Sequence, residues 1–217
     1  ASNVLTLAAR GNVSYSVSLT TMATLLSPLV VPLALWLTLG QWMHLDVVKV
    51  GRSLFGTVVV PVVLGYFLSR CFASWRAAAQ RVGSIVANLT ILWIIAVVVG
   101  DTRDRLSQLE PTILVALLMI NLAGYLAGYG GSRLMRLRDP MRRALTLEIG
   151  MQNAGVGTWL ATEFFKNEPT TAIPPAMYTF GCMLTGTVLA RLWAESGQEA
   201  PDEGEGEDKH RKVGRIS

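Results

Sequence analysis

Glu148-Ile149-Gly150-Met151-Gln152-Asn153 sits inside 146–165, a run dominated by Leu, Ile, Val, Ala, Gly, Trp and Phe, with Arg142 and Arg143 the nearest basic residues upstream and Lys166 the nearest downstream. A run of that length and composition is a candidate membrane span. It would then carry a carboxylate, two side-chain amides and several glycines into hydrocarbon. A centrally placed acid costs about 2.5 to 3.5 kcal/mol on insertion scales, so it needs a partner or a task. Glu148 and Gln152 are four residues apart and share one helical face. Gly150, Gly155 and Gly157 make a break in that helix plausible, and an unwound turn would free the carbonyls of Ile149 and Met151. Irregular backbone at membrane depth is tolerated where it is buried in protein or lines a cavity, and transporters use it to coordinate Na⁺.

The rest of the chain is built the same way. Of 217 residues, 51% are hydrophobic and only 16% charged, with mean hydropathy +0.42; soluble domains carry about 25% charged residues. Seven of the 15 acidic and four of the 19 basic residues fall in 195–217, which leaves positions 1–194 with 8 and 15, a net charge of +7. Apolar runs separated by basic loops predict an all-α, polytopic membrane protein. Six spans are expected at 13–39, 54–72, 84–100, 112–131, 141–165 and 173–193, each about 17 to 27 residues long and so matched to a hydrocarbon core of about 30 Å. Residues 40–53 read as a polar connector. Cys71 and Cys182 read as buried thiols without metal-ligand spacing.

The opening Ala1-Ser2-Asn3-Val4 has no Met and no basic n-region, and ten residues ending at Arg10 are too short to span. Residues 1–12 are therefore expected to be the remnant of a broken membrane helix, and the chain a piece of a longer protein. Arg70, Arg76 and Arg81, then Arg133, Arg136, Arg138, Arg142 and Arg143, fill alternate loops. The positive-inside rule puts those loops, and the C-terminal tail, in the cytoplasm. The tail 195–217 is charged and Gly-rich, too poor in apolar surface to fold, and is expected to be disordered.

Two segments carry a family resemblance. Glu148-Ile-Gly-Met-Gln-Asn-Ala-Gly155 resembles the Glu-Val-Gly-Met-Gln-Asn-Ser-Gly signature of the bile acid:sodium symporter family. Ser2-Asn3-Val-Leu-Thr-Leu-Ala-Ala-Arg10-Gly-Asn-Val-Ser-Tyr-Ser16 resembles that family's other crossover segment, and Leu26-Ser-Pro-Leu-Val-Val-Pro32 continues the likeness. The resemblance implies a ten-helix fold of two inverted repeats in which two broken helices cross. It also implies that Ser2, Asn3, Ser16, Thr20 and Glu148 line one sodium site, and that Glu148, Gln152 and the carbonyls of Ile149 and Met151 line most of a second. Asn153 would face the substrate. The family's Gly-Gly-Thr before Ser2, and a further ligand from an earlier helix, are not in this chain.

The expected function is secondary active transport, a sodium-coupled symport of an organic anion by alternating access, with Na⁺ as the transported ion and no organic cofactor. Its partners are then the lipid bilayer and a small organic anion, with no nucleic acid; the place is a bacterial inner membrane. The sequence sets neither the anion nor an oligomeric state. The rival is a proton-coupled carrier or antiporter of similar architecture, though such exchangers tend to place Asp at the crossing and arsenite carriers a cysteine. An intramembrane enzyme would need paired Asp, a Ser/His pair or a His-rich motif; His44 and His210 lie in a connector and the tail.

Overall fold

The computed structural model describes residues 2–40, 46–71, 111–166 and 168–196, together with isolated helical positions between 79 and 100. About half of the expected span at 84–100, and the tail beyond Ser196, lie outside the described residues. Among the described residues every regular element is a helix: α1 (Ser2–Ala8), α2 (Val13–Leu39), α3 (Val47–Leu54), a π-helical turn (Phe55–Val59), α4 (Val60–Cys71), α5 (Pro111–Leu134), α6 (Asp139–Met151), α7 (Ala154–Phe164), a 3₁₀ turn (Pro169–Ala172) and α8 (Ile173–Ser196). Four stretches are long and apolar enough to cross a bilayer: Val13–Leu39, Val47–Cys71, Pro111–Leu134 and Thr170–Ser196. The protein is an all-α polytopic membrane protein.

Local chemistry explains where the helices start and how they tolerate proline. Asn12 caps α2, its side chain accepting from the Tyr15 N–H at 2.9 Å. Pro28 has no N–H to offer the Thr24 carbonyl, and the Ser27 hydroxyl donates to that oxygen instead, at 2.8 Å. Pro32 likewise leaves the Pro28 carbonyl without its helical donor; that oxygen faces Gly51, where a Cβ would approach it to 2.9 Å. Pro61 explains the π turn: the ladder steps out by one residue, and the Val60 N–H reaches the Phe55 carbonyl.

The sequence expectation differs from the structure at two places. The helix containing 54–72 begins at Val47, inside the stretch read as connector, because Asp46 caps it through the Lys49 N–H at 3.0 Å and Val50 is buried against α2 and α7. Cys71, expected to be buried, is exposed, whereas Cys182 is buried.

The stretch 141–165 is two helices. At 1.5 Å per residue, α6 and α7 are about 20 and about 17 Å long, so neither is long enough to cross alone. Gly124 and Gly128 let α5 approach α6 closely. A Cβ at Gly124 would lie 2.9 Å from the Gly150 Cα, and one at Gly128 would lie 2.8 Å from the Thr146 Cα. Small residues four apart allow such contact between membrane helices. Leu5, Tyr125, Leu147, Met151, Tyr178 and Cys182 form the core where α1, α5, α6 and α8 meet.

The close approach makes a prediction. Gly128→Ala drives a methyl into the α6 backbone and should cost about 1 to 3 kcal/mol by overpacking. Gly130→Ala, with nothing within 4 Å, should be neutral or slightly stabilising, since Ala favours the helix by about 0.5 to 1 kcal/mol. Thermal unfolding of the two variants in detergent checks the contrast.

Candidate functional site

Two helix breaks frame the site. The first, at residues 9–12, is held against the start of α6. The Asn12 N–H donates to the Pro140 carbonyl at 2.8 Å, and an Arg143 Nη donates to the Ala9 carbonyl at 2.8 Å. The second lies at Gln152 and Asn153. Asn153 caps α7, its Oδ1 accepting from the Val156 N–H at 3.2 Å. Gln152 takes φ 52° and ψ −172°, a combination almost confined to glycine that costs about 1 to 3 kcal/mol.

Between the breaks, five oxygen-bearing side chains converge. Thr20 Oγ1 donates to Glu148 Oε1 at 2.5 Å, and Ser16 Oγ lies 3.3 Å from Glu148 Oε2 and 2.8 Å from Asn3 Oδ1. Thr6, wholly buried, donates to Ser16 Oγ at 3.3 Å. Three hydroxyl protons thus serve both carboxylate oxygens, the Asn3 amide oxygen, the Ser16 hydroxyl oxygen and the Ser16 carbonyl, which lies 3.0 Å from Thr20 Oγ1. Ser16 can give its single proton to only one of its two acceptors. Lone pairs outnumber donors, and the carboxylate brings a negative charge.

Neither nearby arginine neutralises that charge. Arg143 is committed to Ala9, while Arg142 pairs with Asp139 at 2.9 Å, donates to the Leu137 carbonyl and lies over the Tyr129 ring. The cluster therefore has the chemistry of a hard-cation site: oxygen donors and one carboxylate with no ion-pair partner among the described residues.

A cavity of about 810 Å³ adjoins the cluster, within the range of about 300 to 1,000 Å³ for small-molecule pockets. Ser2, Thr20, Thr24, Ser27, Glu148, Ile149, Met151, Gln152 and Asn153 line it, with Thr179, Cys182 and Met183 of α8 opposite. The sequence-derived residues therefore separate into two groups. Asn3, Ser16, Thr20 and Glu148 are hydrogen-bonded to one another; Ser2, Ile149, Met151, Gln152 and Asn153 border the cavity beside them. The Ile149 carbonyl lies towards α5, where a Cβ at Gly124 would approach it to 3.0 Å. A second hollow, about 230 Å³, is bordered by Leu35, Val50, Leu160 and Phe164 and is apolar.

Some residues of the site were not singled out by sequence. Thr6 belongs to the oxygen cluster, and its place four residues after Ser2 offered the only hint. Asn121, Tyr178 and Thr185 form a buried network behind the second break. Asn121 Nδ2 donates to the Gly150 carbonyl at 2.9 Å, the Tyr178 hydroxyl donates to the same oxygen at 2.6 Å, and Thr185 donates to Asn121 Oδ1 at 2.8 Å. Two net contributions of about 0.5 to 1.5 kcal/mol each are of the same size as the strain at Gln152. An Asn in the apolar run of α5, four residues before Tyr125, was the available signal.

A helical membrane protein with paired helix breaks around a carboxylate and its oxygen neighbours belongs, by architecture, with ion-handling carriers. Sequence comparison specifies the group. The family model for the Sodium Bile acid symporter family matches residues 1–109, and the chain belongs to that family. An uncharacterized sodium-dependent transporter, YocS, of Bacillus subtilis (strain 168) is 33% identical over 195 residues, covering 90% of this chain and 60% of that protein. The probable sodium/metabolite cotransporter BASS1, chloroplastic, of Arabidopsis thaliana is 30% identical over 196 residues, 90% of this chain and 49% of its own length. A BASS2 counterpart of Oryza sativa subsp. japonica is 27% identical over 202 residues, 93% of this chain and 48% of the relative. The chain thus spans about half the length of the curated relatives it matches.

The strained residue offers a direct check. Gln152→Gly and Gln152→Ala both remove the amide, but only glycine relaxes at φ 52°. The glycine variant should be the more stable of the two by about 1 kcal/mol, read as the difference in ion-free thermal unfolding.

Proposed function

We propose that this chain carries the ion-coupling part of a secondary active transporter that moves a small organic anion together with Na⁺. The observation that carries the reading is the convergence of Asn3, Ser16, Thr20 and Glu148 from two distant segments onto one charged, donor-poor cluster. Sodium would take the place that neither Arg142 nor Arg143 fills, with Ser2 and the amide of Asn3 completing one shell. Gln152 and backbone oxygens at the second break would serve a second ion beside it.

Coupling follows from charge. An unfilled site presents a carboxylate to the cavity and repels an anion. With the cation bound, that charge is offset, and the N-terminal end of α7, with Asn153 at its cap, presents unpaired N–H groups that favour negative charge. The anion then binds next to a neutralised, ordered break, and the two halves of a ten-helix inverted repeat rock to expose it on the other side. The relatives' names, sodium-dependent transporter and sodium/metabolite cotransporter, support sodium as the coupling ion. The setting would be a bacterial inner membrane, with the basic loops and the tail facing the cytoplasm.

In the full-length protein, Glu148→Ala should abolish Na⁺-stimulated uptake while leaving membrane insertion intact. The measurement is a screen of radiolabelled organic acids in proteoliposomes, with imposed Na⁺ or pH gradients. Normal Na⁺-driven uptake by Glu148→Ala would sink the mechanism. Uptake that follows only the pH gradient would replace it with proton coupling.

A further inference from the structure

We infer that Asn121 and Tyr178 are positioning residues for ion binding: they hold the Gly150 carbonyl out of the helical ladder and so fix the break that presents Glu148 and Gln152. The inference rests on the sodium-coupled reading above.

In an unbroken α-helix the carbonyl of residue 150 would accept the N–H of residue 154. Here α6 stops at Met151 and α7 starts at Ala154. Two donors from other helices occupy the Gly150 oxygen, Asn121 Nδ2 at 2.9 Å from α5 and the Tyr178 hydroxyl at 2.6 Å from α8. A carbonyl has two lone pairs and both are taken, so a continuous helix would have to displace one of the two donors. Asn121 is 2% exposed and Tyr178 7%, so neither donor has water as an alternative.

The donors are themselves aimed. Thr185 donates to Asn121 Oδ1 at 2.8 Å, which turns the amide so that its nitrogen faces Gly150. The reversed amide would set its oxygen against the carbonyl. Glycine at 150 makes the arrangement possible, because a Cβ there would fall 2.0 Å from the Tyr125 ring. Only a bare Cα lets α6 lie close enough to α5 for Asn121 to reach.

Gly150 lies two residues, about 200° of helix turn, from Glu148. The clasp therefore grips α6 from the side away from the oxygen cluster. Asn121 and Tyr178 do not border the cavity, while Glu148 and Gln152 do. Their effect on an ion passes through the backbone at the break.

The test needs no knowledge of the transported anion. Thermal unfolding of the purified full-length protein is followed against NaCl, with choline chloride holding ionic strength. A ligand that binds only the folded state stabilises it once its concentration exceeds the dissociation constant. Tyr178→Phe, which removes one hydroxyl, and Asn121→Ala should each raise the Na⁺ concentration at which stabilisation begins by about tenfold, or about 1.4 kcal/mol. Thr185→Val should raise it less. Thr187→Val, whose hydroxyl bonds within α8 to the Met183 carbonyl, should leave it unmoved.

If the wild type responds to Na⁺ but the Asn121 and Tyr178 variants keep its onset, however far their ion-free unfolding temperature falls, the two residues are structural and this inference is overturned alone. A wild type that answers NaCl no differently from choline chloride overturns the sodium reading and this inference with it.

Discussion

A peptide group inside hydrocarbon must find its hydrogen-bond partner within the protein, because no water reaches it. Several irregular features among the described residues are arranged around that requirement. Where Pro28 withholds an N–H, Ser27 supplies a hydroxyl; where α1 ends, Arg143 supplies a guanidinium; where α6 ends, Asn121 and Tyr178 supply an amide and a phenol. The breaks persist because they are satisfied from outside their own helices. The same breaks bring polar side chains to a depth where an intact apolar helix would have none.

The electrostatics of the cluster follow from where the cations go. Arg142 and Arg143 are within two turns of Glu148 in sequence, yet both are spent at the α6 N-terminal end, on Asp139, Leu137 and Ala9. Glu148 is left with the hydroxyls of Ser16 and Thr20. A fixed ion pair would hold the carboxylate permanently neutral; hydroxyl neighbours leave its charge available to a mobile ion. In a carrier that difference separates a structural acid from a coupling one.

Much of the site could be read along the chain, and what could not has a common cause. Glu148 and Gln152 stood out because a carboxylate in an apolar run is costly and because four residues make one helical turn. Asn3, Ser16 and Thr20 were singled out by the family resemblance. Asn121, Thr6 and Tyr178 were missed because a lone hydroxyl or amide in a membrane helix has several bland explanations. Which one holds depends on what faces it. The early start of the helix at Val47 was missed because hydropathy saw Lys49 and Arg52, while the deciding features were the cap at Asp46 and the burial of Val50.

The sequence by itself determined the solvent this protein folds in, the helical class, the cost of Glu148 and the residues able to relieve it. Those properties follow from composition and from periodicities of a few residues. Only the tertiary structure decided where the run containing Glu148 breaks, with a strained Gln152 between the two helices. It alone decided that Thr20, rather than an arginine, meets the carboxylate, and that the Gly150 carbonyl is held from α5 and α8. Those outcomes turn on how closely two helices approach, which Gly124, Gly128 and Gly150 permit. The approach distance is a property of facing surfaces, and neither helix encodes it alone.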